Sequence, residues 1–258
     1  MKTWLAIIAV GVFVCVGIMT SLASQQTTAL TRPVTVGWRE DFSSAVGLSK
    51  AIPKDWTIMG KPGTRPAVFS VTSTKDKNSH LLHLEAYKGS GSLLYQLKSV
   101  DLAKTPVLRW RWRATVLPSA ADGRIAAKDD QAIGIYMGTG NMLNKKSISY
   151  RWDTETPKGA EGNVSYGGGT VKVKWYTLRN KDDGKNGQWF IEERNFAEDF
   201  KNAWGFYPEN VYVGISCNSQ YTSSTAAADL DWIELVSLPN TNIRQNNDSQ
   251  NITRPHSK

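Results

Sequence analysis

Residues 107–116 read VLRWRWRATV, and apolar and basic side chains alternate in this stretch. Alternate side chains of a strand point to opposite faces of a sheet. Leu108, Trp110 and Trp112 therefore share one face, while Arg109, Arg111 and Arg113 share the other. A period of two predicts a strand with one buried face, and the tryptophans make that face the one that turns toward a core.

Similar short runs occur on both sides of this stretch, between Pro33 and Pro239, and clusters of Gly, Pro, Asn and Asp separate them. We count about a dozen such runs, which is typical of an all-β sandwich or barrel. One short helix is expected after Asn195, a good capping residue, with Phe196, Phe200 and Trp204 on one side and a stop at Gly205. The expected domain spans residues 33–238.

The chain has 258 residues, with 31 Lys and Arg against 23 Asp and Glu, so its net charge is +8. Its 40% hydrophobic residues and only 2 Cys exclude a disordered chain, a collagen and a disulfide framework. Residues 1–23 combine Lys2, an apolar run over 5–19 and a small-x-small site at 21–23, which is typical of a signal peptide. The alternative is an uncleaved membrane anchor, since this segment is almost long enough to cross a bilayer.

If the signal peptide is cleaved, we expect an exported protein, periplasmic or extracellular, that keeps no membrane span. Its basic excess favours anionic partners, of which an acidic glycan suits an exported protein and nucleic acid suits it least. Residues 239–258 are polar and rich in Asn, and we expect a disordered tail there. We expect the protein to be a monomer.

The arginines of 107–116 are the first candidate binding residues. Side chains two apart on a strand lie about 7 Å apart, so Arg111 and Arg113 would present two guanidinium groups to an acidic polymer. The alternative is that each arginine pairs with an Asp or Glu on a neighbouring strand and that the tryptophans are core.

Three other places complete the expected ligand site. Asp129 and Asp130 precede a strand, where carboxylates can hold a cation, accept sugar hydroxyls or act as acid and base. Glu193 stands where a strand runs into the helix, and Trp152 is a candidate platform for a sugar ring. The alternatives are that Asp129 and Asp130 are turn residues, that Glu193 only connects the helix to the sheet, and that Trp152 is an ordinary core tryptophan.

The order of several motifs resembles a family of exported bacterial proteins classed only as a domain of unknown function. The motifs that carry the resemblance are GWRE at 37–40, LRWRW at 108–112, KDD at 128–130, ISYRW at 148–152 and ERN at 193–195. The resemblance implies a concanavalin A-like or jelly-roll β-sandwich with two antiparallel sheets, and it brings no catalytic residue. Residues 217–222 read CNSQYT, where we expect acidic residues in relatives.

The run DLDWIE at 229–234 superficially resembles the acidic motif of laminarinase-type glycoside hydrolases, with Asp in place of the first Glu. In related jelly rolls the first and last strands pair. Glu40 and Asp41 on the first strand, with Asp229 and Asp231 on the last, are therefore candidate ligands of a structural calcium.

Three functions remain open at this point. The first is recognition of an envelope or extracellular glycan on a concave face. The second is a glycoside hydrolase or polysaccharide lyase, which needs two convergent carboxylates or a base beside a charge neutraliser in one cleft. The third is a structural envelope protein without a ligand, which would show no cleft.

Overall fold

The computed structural model describes residues 34–45, 52–73, 79–141, 143–184 and 187–238, all within a unit that begins at Pro33. The signal peptide and the polar tail that the sequence predicts lie outside the described residues. The strands are β1 (Val36–Glu40), β2 (Thr57–Met59), β3 (Arg65–Pro66), β4 (Val68–Ser73), β5 (His80–Tyr87), β6 (Gly89–Gln96), β7 (Val107–Val116), β8 (Gln131–Thr139), β9 (Lys145–Trp152), β10 (Glu161–Tyr166), β11 (Val171–Arg179), β12 (Phe190–Asn195), β13 (Tyr212–Asn218) and β14 (Thr225–Val236). One helix, α1, spans Phe196–Trp204.

The strands form two sheets, which confirms the predicted β-sandwich. A six-stranded sheet has the order β12-β7-β14-β5-β4, and β1 also pairs with β14. An eight-stranded sheet has the order β10-β11-β9-β8-β13-β6-β2, with β3 beside β6. The first and last strands pair as expected, with Glu40 opposite Ile233.

Two strand pairs depart from the expected antiparallel arrangement. β11 lies parallel to β9, and β3 lies parallel to β6. Parallel neighbours need a crossover connection, and β10 forms part of the connection between β9 and β11. The result is that β10 becomes the edge of the eight-stranded sheet.

The core lies between the sheets and is rich in aromatic rings. Trp110 of β7 stacks on Tyr150 of the opposite sheet at 5.2 Å between ring centroids, and Trp112 meets Trp152 at 5.6 Å. All four are completely buried. The aromatic face of the 107–116 stretch is therefore the core face, as its alternation predicts.

The helix α1 is capped at both ends. The side chain of Asn195 accepts a hydrogen bond from the backbone N–H of Glu198, and Gly205 ends the helix in the left-handed conformation at φ 84°. Phe196 and Phe200 are buried against the sandwich. No helix among the described residues is long and apolar enough to cross a membrane.

Candidate functional site

The outer face of the six-stranded sheet carries Arg109, Arg111 and Arg113, which we call the arginine ladder. Arg111 Nη1 donates to Asp231 Oδ2 at 2.5 Å, and Arg113 Nε donates to Asp229 Oδ2 at 2.7 Å. These partners stand on β14, the neighbouring strand. The pairing alternative is thus the one the structure shows, and the guanidinium groups of Arg111 and Arg113 are already neutralised.

The rest of the ladder is neutralised in the same way. Arg109 lies 3.6 Å from Glu234 and 3.3 Å from Glu193, and Arg39 donates to Glu234 at 2.7 Å. Trp189 covers Arg111 and Arg113, and its ring centroid lies 4.6 Å from the guanidinium carbon of each. Stacking on an aromatic face holds these guanidinium planes in place.

His83 extends this network onto β5. Its Nδ1 lies 2.7 Å from Asp229 Oδ1, and this hydrogen bond raises the pKa of His83 above its usual 6.5. Burial acts to raise the pKa of Asp229, but the hydrogen bonds from His83 and Arg113 outweigh burial and lower that pKa below 3.8. Asp229 is therefore a carboxylate held between His83 and Arg113.

The four carboxylates expected to bind calcium do not converge. Asp229 and Asp231 are bound by arginines of the ladder. Glu40 accepts hydrogen bonds from the backbone N–H of Phe42 at 2.7 Å and from Trp56 Nε1 at 3.0 Å, and Asp41 accepts from Ser43. Within the described ranges no group of three or more His, Cys, Asp or Glu side chains is placed to hold a metal ion.

Asp129 belongs to a buried network around Arg151, a residue that is only 1% exposed. Arg151 Nη1 donates to Asp129 Oδ1 at 2.7 Å, and its Nε donates to Asp153 Oδ1 at 3.0 Å. Tyr166 donates its hydroxyl to Asp129 Oδ2 at 2.7 Å. We call these four residues the Arg151 network.

Asp130 faces a different segment from its neighbour. Its carboxylate accepts hydrogen bonds from the backbone N–H groups of Tyr221 and Thr222, at 3.2 and 2.7 Å, and from the Thr222 hydroxyl at 2.8 Å. Asp130 is completely buried. It fixes the loop after β13 and is not open to a ligand.

Trp152 lies in the core, whereas Glu193 lies beside the arginine ladder. Trp152 is completely buried, packs edge-on against Phe190 and donates its Nε1 to the carbonyl of Asn180 at 3.1 Å. Glu193 belongs to β12 in the six-stranded sheet, whereas Asp130 leads into β8 in the other sheet. The six predicted ligand-binding residues therefore do not form one site, and the platform role expected of Trp152 is replaced by a core role.

A groove of about 630 Å³ crosses the outer face of the eight-stranded sheet. Four tyrosines line it, and we call it the tyrosine groove: Tyr136, Tyr166, Tyr212 and Tyr221. Small residues of β6, β9 and β13 form its floor, among them Ser92, Ser147, Gly214 and Ser216. A Cβ atom on Gly214 would lie 2.6 Å from Leu94 Cδ2, so the Leu94 side chain covers this position of the floor.

Hydrogen bonds fix three of these tyrosine side chains. Gln131 Nε2 donates to the Tyr136 hydroxyl at 3.1 Å, the Tyr212 hydroxyl lies 2.6 Å from Ser147 Oγ, and Tyr166 is held by Asp129. Burial raises the pKa of Tyr136, Tyr166 and Tyr212 above 10. These hydroxyls therefore stay protonated, and the single proton of Tyr166 is donated to Asp129.

Sequence reasoning missed the tyrosine groove, although β13 carries a signal for it. Residues 212–218 read YVGISCN, and the core side chains Val213, Ile215 and Cys217 alternate with outward Gly214 and Ser216. Small outward residues on a central strand leave space on the outer face. Alternation by itself identifies the core face of a strand and does not show how much space lies on the other face.

A second groove, of about 760 Å³, lies beside α1 at another part of the sandwich. Its lining includes Asp101, Glu198 and Glu209, together with Tyr207 and Leu238. Leu238 is the last described residue before the polar tail. This groove differs from the tyrosine groove in that its charged lining is acidic.

Fold and groove together define a two-sheet β-sandwich with a tyrosine-lined groove on one outer face. The chain belongs to the family described as protein of unknown function DUF3047, whose model matches residues 54–234. This confirms the resemblance to a family of unknown function. No curated protein matches the sequence.

Solved structures with a similar arrangement include several carbohydrate-associated proteins. The family 11 carbohydrate-binding module of a cellulosomal cellulase from Clostridium thermocellum is 9% identical with a TM-score of 0.41, over 81% of this chain and 99% of that one. The carbohydrate esterase of the Shiga toxin-encoding bacteriophage phi24B is 13% identical with a TM-score of 0.41, over 80% and 100%. The CBM22-1 xylan-binding domain from Paenibacillus barcinonensis is 10% identical with a TM-score of 0.38, over 81% and 99%.

Proposed function

We propose that this protein binds a glycan of the envelope or the extracellular space in the tyrosine groove. The observation that carries the proposal is the groove itself, a space of about 630 Å³ lined by four tyrosines above a floor of small polar residues. A volume of this order is typical of small-molecule sites in proteins. Arg111 and Arg113, two of the six ligand-binding residues that the sequence suggests, are paired with Asp231 and Asp229.

The chemistry of the lining suits a sugar. A tyrosine ring offers an apolar face for the C–H face of a sugar ring, and its hydroxyl offers a donor and an acceptor for sugar hydroxyls. Ser92, Ser216 and Asn218 add further donors and acceptors along the floor. Because the hydrogen bonds described above hold Tyr136, Tyr166 and Tyr212 in place, little side-chain freedom is lost on binding.

The cellular location that the sequence predicts fits glycan binding. The first 23 residues have the pattern of a signal peptide, and its cleavage would deliver the sandwich to the periplasm or the extracellular space. Envelope and extracellular polysaccharides are the glycans within reach there. A monomeric binding module needs nothing more than the groove.

Hydrolysis by paired carboxylates is the competing function, since a retaining enzyme needs two of them about 5 Å apart in the cleft. The lining residues of the tyrosine groove, as far as the chain is described, include neither Asp nor Glu. Asp129 stands behind Tyr166 and is bound by Arg151. Binding therefore has more support from the lining than hydrolysis by paired carboxylates has.

The test is affinity electrophoresis of the mature protein in gels that contain xylan, mannan, mixed-linkage β-glucan, peptidoglycan fragments, polygalacturonate or alginate. We expect at least one polysaccharide to retard the protein. Tyr136→Ala and Tyr212→Ala should abolish the retardation. Tyr87→Ala is the matched control, because Tyr87 is 47% exposed and lies on β5 of the other sheet.

Thermal melts of all three variants separate lost binding from lost folding. Retardation by none of the polysaccharides, or retardation that survives both groove substitutions in folded protein, would contradict the proposal. Shortened chains after incubation with a retarding polysaccharide would identify a hydrolase or a lyase instead.

A further inference from the structure

We infer that the tyrosine groove selects anionic glycans, a conclusion that rests on the function proposed above and names its substrate class. The charged side chains that line the groove are two lysines, Lys61 and Lys145, and no acidic side chain joins them in the described lining. The groove therefore carries positive charge that its own walls do not neutralise. A ligand with carboxylate or sulfate groups would supply the missing negative charge.

Both ammonium groups lie against tyrosines of the groove. Lys145 Nζ is 5.4 Å from the ring centroid of Tyr212, and Lys61 Nζ is 5.3 Å from the ring centroid of Tyr221. A cation over an aromatic face is weakly held there and still has its other sides open. Lys145 is half-buried at the start of β9, and Lys61 is exposed after β2.

The two lysines stand at opposite ends of one strand. Tyr212 opens β13 and Tyr221 follows its end. With about 3.3 Å per residue, the seven residues of β13 separate the two positions by roughly 20 Å. This spacing suits a polymer that carries charges along its length, because a single small anion could meet only one lysine.

The arginine ladder and the groove beside α1 do not share this charge. The arginines of the ladder each contact a carboxylate, and the groove beside α1 is lined by Asp101, Glu198 and Glu209. Asp129 reaches the tyrosine groove only through the Tyr166 hydroxyl, and the Arg151 guanidinium compensates its charge. Uncompensated positive charge and an aromatic lining thus coincide in the tyrosine groove.

The test compares the charged and the uncharged form of one polysaccharide. Polygalacturonate carries a carboxylate on each sugar, and its methyl ester carries the same sugars without the charge. Binding of each to the mature protein is measured by isothermal titration calorimetry at low and at physiological ionic strength. We expect tight binding of polygalacturonate that weakens with salt, and binding of the methyl ester that is at least about tenfold weaker.

The double variant Lys61→Met with Lys145→Met should weaken polygalacturonate binding about tenfold and leave binding of the ester unchanged. Lys104→Met is the matched control, because it removes one positive charge from a side chain that is 81% exposed, where it pairs with Asp101 outside the groove. Its affinity should equal that of the wild type.

Equal affinity for the acid and the ester, with no effect of the lysine variants, would overturn the anionic inference while the proposed function stands. Failure of both polymers, and of alginate and chondroitin sulfate as further anionic probes, would overturn the inference too. The neutral polysaccharides of the electrophoresis screen then test the proposed function separately. Groove-dependent retardation by one of them would support glycan binding without the anionic preference.

Discussion

Arg151 carries a positive charge while almost wholly removed from solvent, and two carboxylates make this possible. Burial acts to lower the pKa of Arg151, but attraction to Asp153 and Asp129 outweighs burial and raises it. Trp175 covers the guanidinium, with 5.4 Å from its ring centroid to the guanidinium carbon. Because Asp129 in turn holds Tyr166, this one residue fixes part of the wall of the tyrosine groove.

We predict that Arg151→Met lowers the free energy of unfolding by about 3–5 kcal/mol, because it leaves Asp129 and Asp153 buried without a counter-charge. Urea unfolding followed by tryptophan fluorescence measures the loss. Lys181→Met is the control, since Lys181 and Glu155 form an ion pair in which both partners are largely exposed. A loss as small as that of the control would contradict the role assigned to Arg151.

The raised pKa of His83 predicts that the stability of the fold depends on pH. Its pKa in the folded protein is raised above 6.5 by Asp229, so the protonated side chain stabilises the fold. This contribution is complete below the unfolded pKa and disappears as the pH rises through the folded pKa. The stability difference between wild type and His83→Gln should therefore be larger at about pH 5.5 than at about pH 9, measured by urea unfolding.

A difference that grows toward alkaline pH would contradict this prediction. Asp229 has the opposite behaviour, because its pKa is lowered below 3.8. Its contribution is present above the unfolded pKa and is lost only as the pH falls through the folded one. The two groups therefore act in separate pH ranges and do not obscure each other.

At the scale of elements, alternation along single strands could be predicted well. The stretch 107–116 shows its core face in the sequence, and α1 shows its cap and its stop at Asn195 and Gly205. Each of these features depends on neighbours within a few residues. The parallel pairing of β11 with β9 could not be predicted in this way, because it depends on the connection over residues 153–170, which carries the chain back to the same end of the sheet.

The cap of α1 gives a prediction at this scale. Asn195→Ala should lower the free energy of unfolding by about 1 kcal/mol, since the backbone N–H of Glu198 loses its acceptor. Asn195→Ser keeps an oxygen acceptor and should recover most of that loss. Chemical denaturation of the two variants checks the difference, and equal stability of Ala and Ser would show that the cap contributes nothing.

For the whole molecule, the six predicted ligand-binding residues do not come together, because their convergence depends on contacts between distant strands. Asp130 and Glu193 are placed on different sheets, and Trp152 faces the core on β9, none of which a single strand pattern reveals. The arginine pairing depends on the register between β7 and β14, in which Arg113 stands opposite Asp229. The sequence could suggest that carboxylates pair with the arginine ladder, but it could not show that they neutralise its charge.

The molecule therefore presents two contrasting faces. The outer face of the six-stranded sheet carries an array of ion pairs and tryptophans. The outer face of the eight-stranded sheet has space, tyrosines and uncompensated lysines. We propose that the second face binds the glycan.

Fluorine NMR tests this claim most directly. The mature protein is labelled once with 3-fluorotyrosine and once with 5-fluorotryptophan, and each sample is titrated with galacturonate oligosaccharides after assignment by single substitutions. We predict that the resonances of Tyr136, Tyr166, Tyr212 and Tyr221 shift while those of Trp189 and Trp232 stay in place. Shifts confined to Trp189 and Trp232, on the arginine face, would contradict it.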